Sequence, residues 1–164
     1  MINKKICMLG AFSVGKSALV QQFVKSIFSD KYYSTVGVKI SKKSLFVDDQ
    51  EVSLVLWDME GKDLYVDVNI SYLRGAMGYF VVVDGMRRET LDIALELRDM
   101  AQGLIGDVPH FILLNKADME DQWEVGQADI ERAEARGITV LKTSAKTALN
   151  VEEAFSSLAR AMLT

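Results

Sequence analysis

Short apolar runs alternate with longer amphipathic stretches along this chain, and that alternation restricts the fold more than any other feature of the sequence. Residues 6–9, 54–57, 79–83, 111–114 and 138–141 are almost continuously apolar, the pattern of strands covered on both faces. Residues 39–47 read as an edge strand, joined to residues 52–57 by a hairpin around Asp48-Asp49-Gln50. Helical patterns occupy residues 16–26, 63–73, 89–104, 125–136 and 151–162. Strands that alternate with helices predict an α/β fold: a mostly parallel six-stranded sheet with one antiparallel edge strand and about five helices over both faces. Ligands of such sheets bind beyond the carboxyl ends of the strands, so the residues just after each strand carry the information.

The 164 residues suit a single domain over 1–164. Apolar residues make up 49% and charged residues 26%, ordinary for a soluble globular protein. The net charge of −4 argues against a general nucleic-acid-binding surface. One cysteine, Cys7, cannot form an internal disulfide and suits a reducing compartment. No apolar run approaches the ~20 residues of a membrane span, and the last residues hold no cysteine for a prenyl group. The expectation is a cytoplasmic monomer with no direct membrane anchor in this chain.

Directly after the first strand, Gly10-Ala11-Phe12-Ser13-Val14-Gly15-Lys16-Ser17 matches G-x-x-x-x-G-K-[ST], the phosphate-binding P-loop. Its glycines let the backbone curl until successive N–H groups point inward at phosphate oxygens. The helix that follows adds its positive N-terminal end. Lys16 brings a full charge to the β- and γ-phosphates, and the Ser17 hydroxyl is a Mg²⁺ ligand candidate. Ala11, Phe12, Ser13, Val14, Gly15, Lys16, Ser17 and Ala18 are therefore the expected phosphate-side contacts.

Three further motifs follow later strands. Asp58-Met59-Glu60-Gly61 sets a carboxylate at a strand end, where it can hold Mg²⁺ through water, and a glycine whose N–H can approach a γ-phosphate. Asn115-Lys116-Ala117-Asp118 follows residues 111–114. Guanine presents N1–H and N2–H₂ side by side, and one carboxylate at Asp118 accepts both. Adenine would turn a lone pair toward it, a mismatch worth roughly 10⁴–10⁵ in discrimination. The Lys116 stem can lie over the base plane, and Asn115 can tie neighbouring loops together. After the last strand comes Ser144-Ala145-Lys146, where the Ala145 N–H would meet guanine O6.

Together these residues resemble the Ras superfamily of small GTPases, and its Rab branch most closely, over essentially the whole chain. Lys31-Tyr32-Tyr33-Ser34-Thr35-Val36-Gly37-Val38-Lys39 is similar to the Rab effector loop. The resemblance implies that Thr35 ligates Mg²⁺ and senses the γ-phosphate. Trp57-Asp58-Met59-Glu60-Gly61 sits where Rabs carry W-D-T-A-G, and residues 71–78 resemble their Y-Y-R-G-A-x-G. Phe28 falls where the family places an aromatic against the base edge. The implied activity is a molecular switch that binds GTP or GDP with Mg²⁺, hydrolyses GTP, and presents Lys31–Val38 and Gly61–Leu73 to effectors and regulators.

Two residues depart from the family pattern, and both bear on hydrolysis. Lys62 stands where efficient hydrolases carry Gln, and Phe12 where the family favours Gly, Ala or Ser. The catalytic set is expected to be Lys16, Thr35, Gly61 and Lys62, with slow turnover. A hydrolysis-deficient GTP-binding scaffold is the rival reading, and a P-loop kinase or ATPase is a third that Asn115–Asp118 argues against. Arg87-Arg88 reads as a solvated helix start, His110 as structural, and Tyr65, Tyr72, Tyr79 and Met77 as core or partner-facing.

Overall fold

The structure, a computed structural model, describes residues 2–26, 28, 38–59 and 70–164. Its elements run β1 (Ile2–Gly10), α1 (Lys16–Lys25), β2 (Val38–Val47), β3 (Gln50–Met59), α2 (Ile70–Leu73), β4 (Gly78–Asp84), α3 (Glu89–Ile105), β5 (His110–Asn115), a 3₁₀ turn (Ala117–Gln122), α4 (Gln127–Glu134), β6 (Thr139–Lys142) and α5 (Val151–Leu163). The six strands form one sheet in the order β2-β3-β1-β4-β5-β6. Among the described residues only β2 pairs antiparallel, with β3, and the other pairings are parallel. The sequence-based expectation of a mostly parallel sheet with one antiparallel edge strand agrees with this architecture.

Burial explains the two-sided cover. Along the central strands alternate side chains enter opposite layers, as the two-residue strand period requires. Ile6, Met8, Phe80 and Val82 pack with Phe23 of α1 and Phe155 and Leu158 of α5. Cys7, Leu9, Tyr79, Val81 and Val83 face the other way, against Leu91, Ala94 and Leu97 of α3. Phe23 and Phe155 stack with ring centroids 4.0 Å apart, which couples the two helices of the first layer. Tyr72 and Tyr79 are core residues, whereas Met77 is exposed. His110 begins β5 and stacks on Tyr79, away from the carboxyl ends of the strands.

Element ends differ from the expected ranges where side-chain pattern is a poor guide. The hairpin turn is Asp48-Asp49, both with positive φ (50° and 68°), and Gln50 already pairs with Val47. Two consecutive left-handed residues make the two-residue turn whose twist suits a hairpin, and Asp tolerates that conformation better than most. The helix expected over 125–136 is shorter, Gln127–Glu134, because Val125 turns inward and its N–H bonds the Gly85 carbonyl. Of the helix expected over 63–73, residues 70–73 are helical; residues 63–69 lie outside the described residues.

Register positions the site. Met8 pairs with Asp58, Gly10 with Val82 and Asp84 with Asn115. The carboxyl ends of β1, β3, β4 and β5 therefore share one edge of the sheet, and the described residues of the sequence motifs lie at it.

Candidate functional site

The first of these loops links β1 to α1. Ser13 has φ 62° and Gly15 φ 102°, so the backbone curls through the left-handed region before the helix starts at Lys16. Gly15 is required twice over. Its φ is one that side chains resist, and a Cβ there would lie 2.3 Å from Asn115 Nδ2. That open space lets the Asn115 amide reach the Val14 carbonyl at 3.0 Å. α1 has no side-chain cap and no acidic residue in its first turn. Its first N–H groups and the positive end of its dipole thus face the loop, ready for an anion.

Lys16 is only 5% exposed. Its Nζ donates to the Gly10 and Ala11 carbonyls at 3.4 and 3.3 Å, distances at the long end for such bonds. Burial lowers its pKa to about 8, and the charge of Asp58 opposes part of that fall. Beside it the Ser17 hydroxyl donates to Asp58 Oδ2, and Asp58 is 2% exposed at the end of β3. A hydroxyl and a carboxylate held together at a phosphate loop are hard oxygen donors, a set that fits Mg²⁺. Thr35, Gly61 and Lys62 lie outside the described residues.

The base side is built from the ends of β5 and β6. Asn115 joins three segments: it donates to Val14, and its Oδ1 accepts from the Thr143 hydroxyl at 3.2 Å. Lys116 is left-handed (φ 72°), and its carbonyl accepts from Trp123 Nε1 at 3.0 Å. Trp123 packs against Gly85, where a Cβ would stand 2.1 Å from the indole. Ser144 Oγ donates to Asp118 Oδ1 at 2.7 Å, which aims the carboxylate, and accepts from the Thr147 N–H. Ala145 is buried and Lys146 exposed.

These segments border a cavity of about 330 Å³. Gly15, Ala18, Phe28, Asn115, Lys116 and Asp118 line it, with Ala145 and Lys146 at one wall. Eight of the expected contact residues therefore surround one space. Ser13, Val14, Lys16 and Ser17 form the adjoining phosphate loop, as does Phe12, whose side chain is 41% exposed. Sequence reading missed Met86 and Met119, which line the same cavity. Met119 directly follows Asp118 and Met86 lies three residues beyond the expected strand 79–83, so the rule about loops after strands contained the signal.

The Arg87-Arg88 expectation holds in part: Arg88 is exposed and caps the start of α3, whereas Arg87 is half-buried and turned toward the phosphate loop. Arg87 Nε bonds Asp84 Oδ2 at 3.0 Å and Arg87 Nη2 bonds the Phe12 carbonyl at 2.8 Å. Arg88 Nε pairs with Asp129 at 3.2 Å, its guanidinium also reaches the Glu124 carbonyl, and its N–H donates to Glu124 Oε1. Asp84 lies three residues before Arg87, but the Phe12, Glu124 and Asp129 acceptors come from distant segments, so nothing adjacent in sequence announces them.

A phosphate loop, an aimed carboxylate and a base-sized cavity on one sheet edge narrow the possibilities, and comparison with known proteins decides among them. The family model described as Ras family matches residues 5–164. The chain belongs to the Ras family. Among its relatives, Ras-related protein Rab-8B of Homo sapiens is 35% identical over 162 residues, 98% of this chain and 78% of that protein. Ras-related protein Rab-13 of Canis lupus familiaris is 33% identical over 161 residues, 97% of this chain and 79% of that protein. The chain is a Rab-like small GTPase of the Ras superfamily, a class of GTP-binding switches. Among the described residues no helix is long and apolar enough to cross a membrane.

Proposed function

We propose that this chain forms one guanine-nucleotide-binding domain over residues 1–164, binds GTP and GDP with Mg²⁺, and hydrolyses GTP slowly. The observation that carries this reading is the continuity of the site: a buried Lys16 beneath an uncapped helix N-terminus adjoins a cavity bordered by Asp118. In this reading Lys16 and the N–H groups of Ser13 to Ala18 bind the phosphates. Asp118 accepts from guanine N1–H and N2–H₂, the Ala145 N–H meets O6, and Phe28 and Lys116 flank the base. Ser17 and Thr35 ligate Mg²⁺ directly and Asp58 acts through water; the bound ion supplies charge neutralisation at the phosphates. Thr35 and the Gly61 N–H sense the γ-phosphate, so GTP orders Lys31–Val38 and Gly61–Leu73 into a surface for effectors.

Slow turnover follows from Lys62 and Phe12. A glutamine can both accept from and donate to an attacking water, whereas Lys62 only donates. Its charge would stabilise bound GTP as well as the transition state, and uniform binding does not speed chemistry. Phe12 at the exposed loop position crowds the space an activator's arginine would need, and losing such a finger forfeits about 10³–10⁵ in rate. Single-turnover GTP hydrolysis, measured beside nucleotide affinity, tests the reading. Lys62→Gln should raise the intrinsic rate with GTP affinity nearly unchanged. A slower Lys62→Gln variant would make Lys62 catalytic, and tight GTP binding without turnover would favour a hydrolysis-deficient scaffold.

A further inference from the structure

Asp84 closes β4 at a point 2% exposed, directly beside Asn115 in the sheet register. Its Oδ2 accepts from two cations, Lys116 Nζ at 2.9 Å and Arg87 Nε at 3.0 Å, while Oδ1 accepts from the Met86 N–H at 2.9 Å. Burial pushes this carboxyl upward, but the bonds from Lys116, Met86 and Arg87 and the Lys116 charge outweigh it and hold the pKa below the usual value. Each cation then reaches the phosphate loop. Arg87 Nη2 donates to the Phe12 carbonyl at 2.8 Å and Lys116 Nζ to the Ser13 carbonyl at 3.3 Å. Asn115 holds the next carbonyl, that of Val14. Three successive carbonyls are gripped from the β4 and β5 loops.

A trans peptide is planar, so a carbonyl and the N–H of the following residue point in opposite directions. Holding the carbonyls of Phe12, Ser13 and Val14 on one side therefore turns the N–H groups of Ser13, Val14 and Gly15 to the other. We infer that Arg87 is a positioning residue for the phosphate loop: braced by Asp84, it fixes the Phe12 carbonyl and so aims the Ser13 N–H at the nucleotide. This rests on the guanine-nucleotide reading above. Its own backbone is already fastened, since the Arg87 N–H bonds the Asp84 carbonyl at 2.9 Å and the Arg87 carbonyl accepts from the Thr90 hydroxyl at 2.7 Å. The planar guanidinium supplies two donors in fixed geometry, one for the carboxylate and one for the carbonyl.

The test measures release of methylanthraniloyl-GDP from the full chain, with ³¹P spectra of bound GDP. Arg87→Ala should release the nucleotide about tenfold faster, the loss expected for one hydrogen bond from a charged donor. At least one phosphorus resonance should move, a signature that general loosening of the fold would not produce. Arg87→Lys keeps a charge beside Asp84 without the fork and should fall between Arg87→Ala and the unmodified chain. Arg88→Ala, which disturbs only bonds to Glu124 and Asp129, should release GDP at the unmodified rate. Unchanged release and spectra in Arg87→Ala would overturn the inference, as would an Arg87→Lys variant identical to the unmodified chain. An Arg88→Ala effect as large as that of Arg87→Ala would overturn it too. If Arg87→Ala does not fold, Arg87→Lys decides. An unmodified chain that binds no guanine nucleotide removes both readings; one that binds it while the Arg87 variants do not respond removes this one alone.

Discussion

The base side and the phosphate side of the cleft meet where Asn115 bonds the Val14 carbonyl, yet they are built on opposite principles. On the base side polar groups hold one another: Asn115 spans the Val14 carbonyl and the Thr143 hydroxyl, Ser144 holds the Asp118 carboxylate, and Trp123 holds the Lys116 carbonyl. A network satisfied from within is preorganised and discriminates by the pattern of donors and acceptors that it leaves facing the cavity. On the phosphate side Lys16 is buried against carbonyls at 3.3 and 3.4 Å, with its pKa lowered to about 8, under an uncapped helix end. That half sets the Lys16 ammonium, partly offset by the Asp58 charge, at a positive helix end that favours an anion. Under the proposed function, specificity is built in one half and most of the affinity in the other.

The largest expected effect attacks the base side. Asp118→Asn should weaken GTP and favour xanthosine triphosphate, whose C2 carbonyl can accept from an amide, moving the preference between the two by roughly 10⁴. Competition binding with both nucleotides checks it, and no gain for the xanthine nucleotide would show that Asp118 does not read the base. Lys16→Met attacks the other half. GTP affinity should fall by on the order of 10²–10³, as for loss of a buried charged donor. The nucleotide-free variant should melt no lower than the unmodified chain, because it no longer buries an ammonium whose pKa burial depresses. A lower melting temperature without nucleotide would mean that Lys16 holds the loop by itself, and the contrast between the halves would collapse.

The smallest effect concerns Asp84, which joins the halves. Its carboxyl pKa is lowered in the folded chain, so its stabilisation is complete above the ordinary carboxylate range and is lost as pH falls through the folded value. Urea unfolding should show the unmodified chain more stable than Asp84→Asn near neutral pH, with the gap closing as the solution becomes strongly acidic. A gap that stays constant with pH would mean that the carboxylate charge does not brace the two loops.

Much of this was legible in one dimension because the signals are local. Strand and helix periodicity, the glycine spacing of residues 10–17 and the short motifs at 115–118 and 144–146 each depend on neighbours in sequence. They were enough to set the sheet class and to place the loops that gather at its carboxyl edge. The grip on the phosphate loop was not legible. Arg87 reaches Phe12 across 75 residues and Lys116 reaches Ser13 across 103, and no pattern within either segment specifies its partner. The close approach of Trp123 to Gly85 and the arrival of Met86 beside Phe28 at one cavity depend likewise on which loops the parallel register sets side by side. The sequence alone determined which residue types could contact phosphate and base, since donor and acceptor chemistry belongs to the side chain. Only the tertiary structure decided which carbonyls are held and which N–H groups are aimed, because that direction is a property of peptide planes fixed by contacts distant along the chain.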